Sequence, residues 1–252
     1  RLAAPWQATF VGLENYRLLV EDVEFHDAIS NTLQFTGASV LLETLLGLGL
    51  ALLLHRRFRG RTWLRAAALV PWAIPTIVSA QLWRFILNDV YGVANDIAVR
   101  LHLIDQPVAY LATPGIAMAC VVLVDVWKTT PFMALLLLGA LQGIPDELYE
   151  AARVDGANAR QRFRFVTWPL LAPMLLVGML FRTMDALRLF DTIYVLTLGA
   201  FGTESMATYN RRVLIDFRDL GYGSACSVAI FAFIGLVSAV YVWFVIRRER
   251  LF

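Results

Sequence analysis

Five long apolar runs constrain this chain more than any motif does. They occupy residues 28–54, 66–87, 114–141, 169–198 and 224–246. A helix needs about 20 apolar residues to cross a hydrocarbon core. None of the runs alternates apolar and polar residues as barrel strands do, and an open strand in lipid would leave its backbone unpaired. The chain therefore reads as an all-α membrane protein with five predicted spans. Hydrophobic residues make up 59% of it and charged residues 17%, against about 25% charged in soluble domains. Pro71, Pro75 and Pro131 lie inside spans, where neighbouring helices can re-satisfy the backbone groups they free.

The net charge of +2 gives no footing for nucleic acid. Cys120 and Cys226 sit in apolar runs and read as small buried hydrophobes. His26, His55 and His102 lie outside the spans or at their ends, with no metal-like or catalytic neighbour, so no metal site is expected.

Arginine placement sets the orientation, because basic residues gather on the cytoplasmic side. One side carries twelve: Arg56, Arg57, Arg59, Arg61, Arg65, Arg153, Arg160, Arg162, Arg164, Arg247, Arg248 and Arg250. The other carries six: Arg1, Arg17, Arg100, Arg211, Arg212 and Arg218. The first side is read as cytoplasmic, which leaves residues 1–27 outside as a lead-in. An external start without a signal peptide implies a sixth span upstream of Arg1. Residues 93–104 repeat apolar positions at helical spacing. They either lie along the membrane surface or pack as a loop helix on the spans. Residues 199–223 read as an irregular polar loop.

The cytoplasmic loop between spans three and four is the most informative stretch. Asp146 is placed to cap a helix bearing Glu147 and Glu150 in its first turns. Leu148, Ala151, Ala152 and Val154 make a mostly small face, and Gly156 stops or bends the helix. A second helical piece follows over residues 159–168. A small face with one protruding carboxylate suits docking into a groove of another protein. An ordinary loop helix lying on the headgroups would also satisfy this pattern.

Glu150-Ala151-Ala152, three residues, Gly156, nine residues, then Val166-Thr167-Trp168-Pro169 resembles the "EAA" motif of ABC importer permeases. That motif reads E-A-A, three residues, G, nine residues, I-x-L-P; Val166 and Trp168 are apolar departures from it. Phe10 to Tyr16 (FVGLENY), NTLQFT, PWAIPTIV, VWKTTPFMALLLLGAL and LFRTMDALRLFDTIYVLT are similar to the carbohydrate branch of the same permeases. The resemblance implies a MetI-like type I ABC importer transmembrane domain over residues 28–247, with a coupling loop at 144–169. In that loop Glu150, Ala151, Ala152, Asp155 and Gly156 would seat on the ATPase. It further implies a multi-pass subunit of a bacterial inner membrane. Its partners would be a second homologous permease, an ATP-binding cassette ATPase dimer, an extracytoplasmic sugar-binding protein and membrane lipid. The implied cargo is a disaccharide such as trehalose or maltose, with glycerol-3-phosphate or another solute as the alternative.

Ionisable groups inside spans are costly unless they face protein or water. Span four holds Arg182, Asp185, Arg188 and Asp191 at three-residue spacing with alternating sign. Arg182 suits a lock between helices; Asp185, Arg188 and Asp191 suit a polar cavity wall. Such groups offer donors and acceptors to hydroxyls while leaving no net field. In span three, Asp125 and Lys128 either neutralise each other, or Lys128 and Thr129 reach the substrate path. Trp83, Trp127 and Tyr194 are candidate sugar-stacking faces. Glu43 is isolated in span one and has no assigned role beyond facing the bundle or a partner.

No G-x-x-x-x-G-K-[ST] loop is present, so ATP would be bound by another subunit and no cofactor is expected here. A secondary transporter would call for internal repeats, and none is visible. An intramembrane enzyme would need a nucleophile and base at one depth, and no such pair appears. The expectation is a non-catalytic pathway subunit.

Overall fold

The computed structural model describes residues 10–56 and 58–249, without the side chains of 244–246, 248 and 249. Residues 1–9, Arg57, Arg250 and the side chain of Arg248, all used above, lie outside the described residues. Among the described residues the chain is helical. α1 (Glu14–Glu21) leads into α2 (Val23–His55), a broken pair α3 (Arg61–Ala73) and α4 (Thr76–Ile86), and the short α5 (Val93–Arg100). α6 (Ile116–Gln142) is followed by α7 (Asp146–Val154) and α8 (Ala159–Arg162). α8 runs through a π-turn (Phe163–Thr167) into α9 (Trp168–Ala186). α10 (Asp191–Leu196), α11 (Met206–Arg211) with a second π-turn (Arg212–Asp216), and α12 (Leu220–Glu249) complete it.

Among the described residues, four helices are long and apolar enough to cross a membrane: α2, α6, the continuous Ala159–Ala186 rod and α12. The second expected span is a pair of helices bent by 94°. Pro75 causes the break, since its missing N–H and fixed φ prevent α3 from continuing. Contacts show that this pair carries the chain across. Ser39 meets Asp125, Glu43 meets Thr129 and Gly47 meets Met133, always 86 residues apart. α2 and α6 are therefore parallel, and the chain must return between them. α9 runs the other way, with Leu175 packed beside Leu137, Gly178 against Met133 and Arg182 at Glu43.

Helix ends follow local chemistry. The Asp22 side chain accepts from the Phe25 amide at 3.1 Å and starts α2. Met133 is fully buried between two glycines: a Cβ on Gly47 would lie 2.7 Å from its Cγ, and one on Gly178 2.9 Å from its Sδ. Those glycines set the close approach of α2, α6 and α9. Hydroxyls inside the spans return to the carbonyl four residues back, as Thr32, Thr44, Thr130 and Thr183 do. Exposed Leu33, Leu41, Leu45, Phe231 and Val240 leave apolar faces outward.

One expectation is corrected on the arginine-poor side. The stretch 199–223 is built rather than irregular, because Ser205 and Thr208 form a capping box that starts α11. Arg212 then clamps Glu24 at 2.7 Å and Glu204 at 2.8 Å. The lead-in also packs: Leu19 of α1 is buried with Tyr209, Val213 and Cys226.

Candidate functional site

The helix α7, in the loop expected to be cytoplasmic, has no buried residue. Leu148 is 43% exposed and Val154 88% exposed, an apolar presentation that the chain itself leaves uncovered. Asp146 does not cap the helix as expected: it is the first helical residue, Pro145 holds the N-cap position, and no side chain caps the amides. The end is sharper than the start. Gly156 adopts φ +81°, its amide donates to the Arg153 carbonyl at 3.0 Å, and the Ala157 amide donates to Ala152 at 2.9 Å. This paired pattern at a left-handed glycine is a Schellman stop. Asn158 and Gln161 then form a capping box that launches α8. Tyr149 Oη lies 3.0 Å from Thr167 Oγ1, and Arg162 donates to the Ala157 carbonyl at 2.7 Å. α7 is thus exposed on one face and strapped to the foot of α9 on the other. Glu150, Ala151 and Asp155 are exposed and Ala152 is half-buried against the body.

At mid-span, α2, α6 and α9 converge on Arg182. Its Nε reaches Glu43 Oε2 at 2.5 Å and its Nη2 reaches Glu43 Oε1 at 2.9 Å and Asp125 Oδ2 at 3.0 Å. Nη1 meets Asp185 at 3.3 Å. Ser39 and Thr129 complete the ring on Glu43. Glu43, without a role in the sequence reading, is the main counter-ion of Arg182. Asp125 pairs with Arg182 rather than forming an ion pair with Lys128.

Lys128 instead caps the broken helix. Its Nζ donates to the Ile74 carbonyl at 2.7 Å and to Trp72 at 3.5 Å. These are end-of-helix carbonyls freed by Pro75, and a cation suits that end of the dipole. A proline-broken span and, later in the chain, a lone lysine were the available signals, but spacing alone could not join them.

Beside the cluster lies an open cavity of about 240 Å³. Thr76, Asp125, Lys128, Thr129, Arg182, Asp185, Arg188, Phe190 and Asp191 line it. All five residues expected on the pathway (Lys128, Thr129, Asp185, Arg188 and Asp191) reach this one space. They do not come as a single helical row. α9 ends at Ala186, Arg188 sits in a turn and Asp191 opens α10. Ser205 Oγ donates to the Leu189 carbonyl left free by that turn. Trp83 and Trp127 pack edge-to-face on each other at 5.5 Å and do not line the cavity. The aromatic side chain on its wall is Phe190, stacked on Tyr194 at 5.1 Å.

Where α1 meets α2, Asp22 accepts from the hydroxyls of Tyr209 and Tyr222. Burial pushes its carboxyl up, but those hydroxyls and the Phe25 and Glu24 amides outweigh it and hold it below the usual value. Burial pushes Glu204 up against the opposing pull of Arg212.

With this geometry in hand, residues 43–250 match the family described as "Binding-protein-dependent transport system inner membrane component". The chain belongs to that family. It is a multi-pass permease component of the inner membrane. It is 46% identical to the "Trehalose/maltose transport system permease protein MalF" of Thermococcus litoralis, over 96% of this chain and 81% of that protein. Its fold superposes with TM-score 0.84 on the structure of a bacterial ABC transporter involved in the import of the acidic polysaccharide alginate. That match has 25% identity and covers 99% of this chain and 87% of that one. A second structure of a bacterial alginate ABC transporter, in complex with an alginate pentasaccharide-bound periplasmic protein, matches at TM-score 0.81 and 26% identity. It covers 93% of this chain and 81% of that one. The five-span, MetI-like reading of the sequence agrees with these likenesses.

Proposed function

We propose that the chain forms one half of the transmembrane pathway of an ATP-driven sugar importer, carrying a disaccharide of the trehalose or maltose kind. A second, homologous permease supplies the other half, an extracytoplasmic binding protein delivers the sugar, and a separate ATPase dimer seats on α7. The single observation that carries this reading is the 46% identity to a trehalose/maltose permease across nearly the whole chain.

The geometry gives that reading a mechanism. Closure of an ATPase dimer would push on α7, which is exposed through Glu150, Ala151 and Asp155. The Schellman stop at Gly156 and the Tyr149–Thr167 contact pass the push to the continuous Ala159–Ala186 rod. That rod ends in Arg182 and Asp185, on the wall of the charged cavity. A rigid-body tilt of the rod therefore changes the cavity itself. In the cavity, Asp185, Arg188, Asp191 and Thr129 offer hydroxyl acceptors and donors of both signs, and Phe190 offers an apolar wall.

The test is reconstitution with the ATPase, the second permease and the binding protein, reading ATP hydrolysis with and without trehalose or maltose. Sugar-stimulated hydrolysis that disappears in Glu150→Lys and Gly156→Pro is expected. Full stimulation in both variants would reject the coupling role, and no stimulation of the native complex by either sugar would reject the cargo.

A further inference from the structure

At the foot of α3, two cations share one neutral oxygen. Arg61 and Arg65 stand one turn apart on the same face of the helix. The Gln142 side chain, turned with its carbonyl toward them, accepts from Arg65 Nη2 at 2.8 Å and from Arg61 Nη2 at 3.2 Å. The two guanidiniums are thereby held within about 6 Å of each other, where like charges repel. No carboxylate pairs with either among the described residues. Residues 55–65 hold five arginines and no acid. What opposes this charge is small. Arg65 also donates to the Leu54 carbonyl at 3.4 Å, near the end of α2, and Gln142 is the last residue of α6. Each of those helix ends carries about half a negative charge, which leaves about one positive charge over. Both Nε groups are buried without an acceptor, and neither Nη1 has one among the described residues.

Beside Arg61 opens a groove of about 450 Å³, lined by Phe58, Gly60, Arg61, Thr62 and Trp63. Gly60 gives α3 no side-chain cap, and the Thr62 and Trp63 amides have no acceptor among the described residues. Free amides at a helix start add to the pull on an anion. The surface next to the groove is apolar. α3 meets Gln142 at one end and Lys128 at the other, so it runs along α6 and its length follows the span. Trp63 and Val70, seven residues apart on one face, are both exposed. Seven residues of helix rise about 10 Å, which fits within one leaflet of a hydrocarbon core about 30 Å thick. We propose that the foot of α3 binds an anionic phospholipid. Its phosphate sits at Arg61 and the α3 amides, its chains lie along Trp63 and Val70, and Arg65 adds field without contact. The uncompensated positive charge selects a lipid with one net negative charge over a zwitterionic one. A soluble anion would use the charged groove and leave the apolar strip bare.

Native mass spectrometry of the intact transporter in detergent, titrated with phosphatidylglycerol or with phosphatidylcholine, counts bound lipids and gives the affinity of the first. Native protein should bind the first phosphatidylglycerol more tightly than phosphatidylcholine. Arg61→Gln should weaken that binding about fivefold and Arg65→Gln by less, while Arg61→Lys, which keeps the charge, should stay within about twofold of native. Arg160→Gln removes an exposed arginine elsewhere and should change nothing. Equal affinity for the two lipids in native protein would overturn the proposal, and that comparison decides even if Arg61→Gln fails to assemble. An equal loss in Arg160→Gln would also overturn it, by showing a diffuse field and no site. Displacement of phosphatidylglycerol by inorganic phosphate would reassign the groove to a soluble anion. Loss of the ATPase subunit from Arg61→Gln with lipid affinity intact would reassign it to a protein carboxylate. All these readouts stand apart from the choice of sugar.

Discussion

The helix α7 and the cluster at mid-span use charge in opposite ways. On α7, Asp146, Glu147, Glu150 and Asp155 are all exposed, and none has an ion-pair partner among the described residues. Around Arg182, charges are buried and each is held by others across three helices. Exposed charges in high dielectric add little to stability, so α7 can change its sequence without unfolding the bundle. Buried charges are costly to separate, so the cluster fixes where the helices meet. One region is free to address a partner, and the other is committed to the fold.

The largest effect expected from this contrast is at Arg182. Arg182→Met leaves Glu43 and Asp125 buried without a cation and should cost about 3–5 kcal/mol, read as loss of folded protein in detergent. Glu150→Lys should leave the melting temperature unchanged. A large drop for Glu150→Lys, or none for Arg182→Met, would erase the distinction between the two regions.

The next effect is steric. Gly47→Ala places a methyl against Met133 Cγ and Cβ and within 3.2 Å of the Ala134 amide nitrogen, while Gly178→Ala meets only the flexible ends of Met133 and Leu136. Gly47→Ala should therefore cost about 1–3 kcal/mol in thermal unfolding and Gly178→Ala less.

Two smaller effects concern the ends of helices. Asp22→Asn should cost about 1 kcal/mol at neutral pH by weakening the outer clasp on Tyr209 and Tyr222. Because the folded Asp22 carboxyl titrates below its unfolded value, its contribution is complete above about pH 4 and fades as pH falls further. The gap between native and Asn variants should close only in that acid range. Gly156→Ala has open space around its Cβ, so only the left-handed φ resists it, at about 1 kcal/mol. Coupling should suffer from it more than stability does.

Much of the fold was legible because apolar runs of membrane length admit few structures. α2, α6 and α12 begin and end within a few residues of the expected limits. Gly156 was readable as a stop because a glycine after a short amphipathic helix has a known geometry. Hydropathy could not see breaks that stay apolar. The 94° bend after Ile74 and the turn after Ala186 both lie inside continuous hydrophobic runs. For the same reason Arg182 to Asp191 read as one helical row. The pairing of Glu43 with Arg182 spans 139 residues, and a single sequence holds no signal for such a contact. Lys128 was found as a cavity residue, but its grip on α3 depends on the bend.

The most direct test of whether α7 is the docking helix is thiol labelling of Val154→Cys in membrane vesicles, with buried Cys120 and Cys226 as silent background. Position 154 should react with an impermeant reagent only from the cytoplasmic side, and binding of the ATPase subunit should protect it. Labelling from the external side, or equal labelling with and without the bound ATPase, would contradict the placement of α7 and its partner.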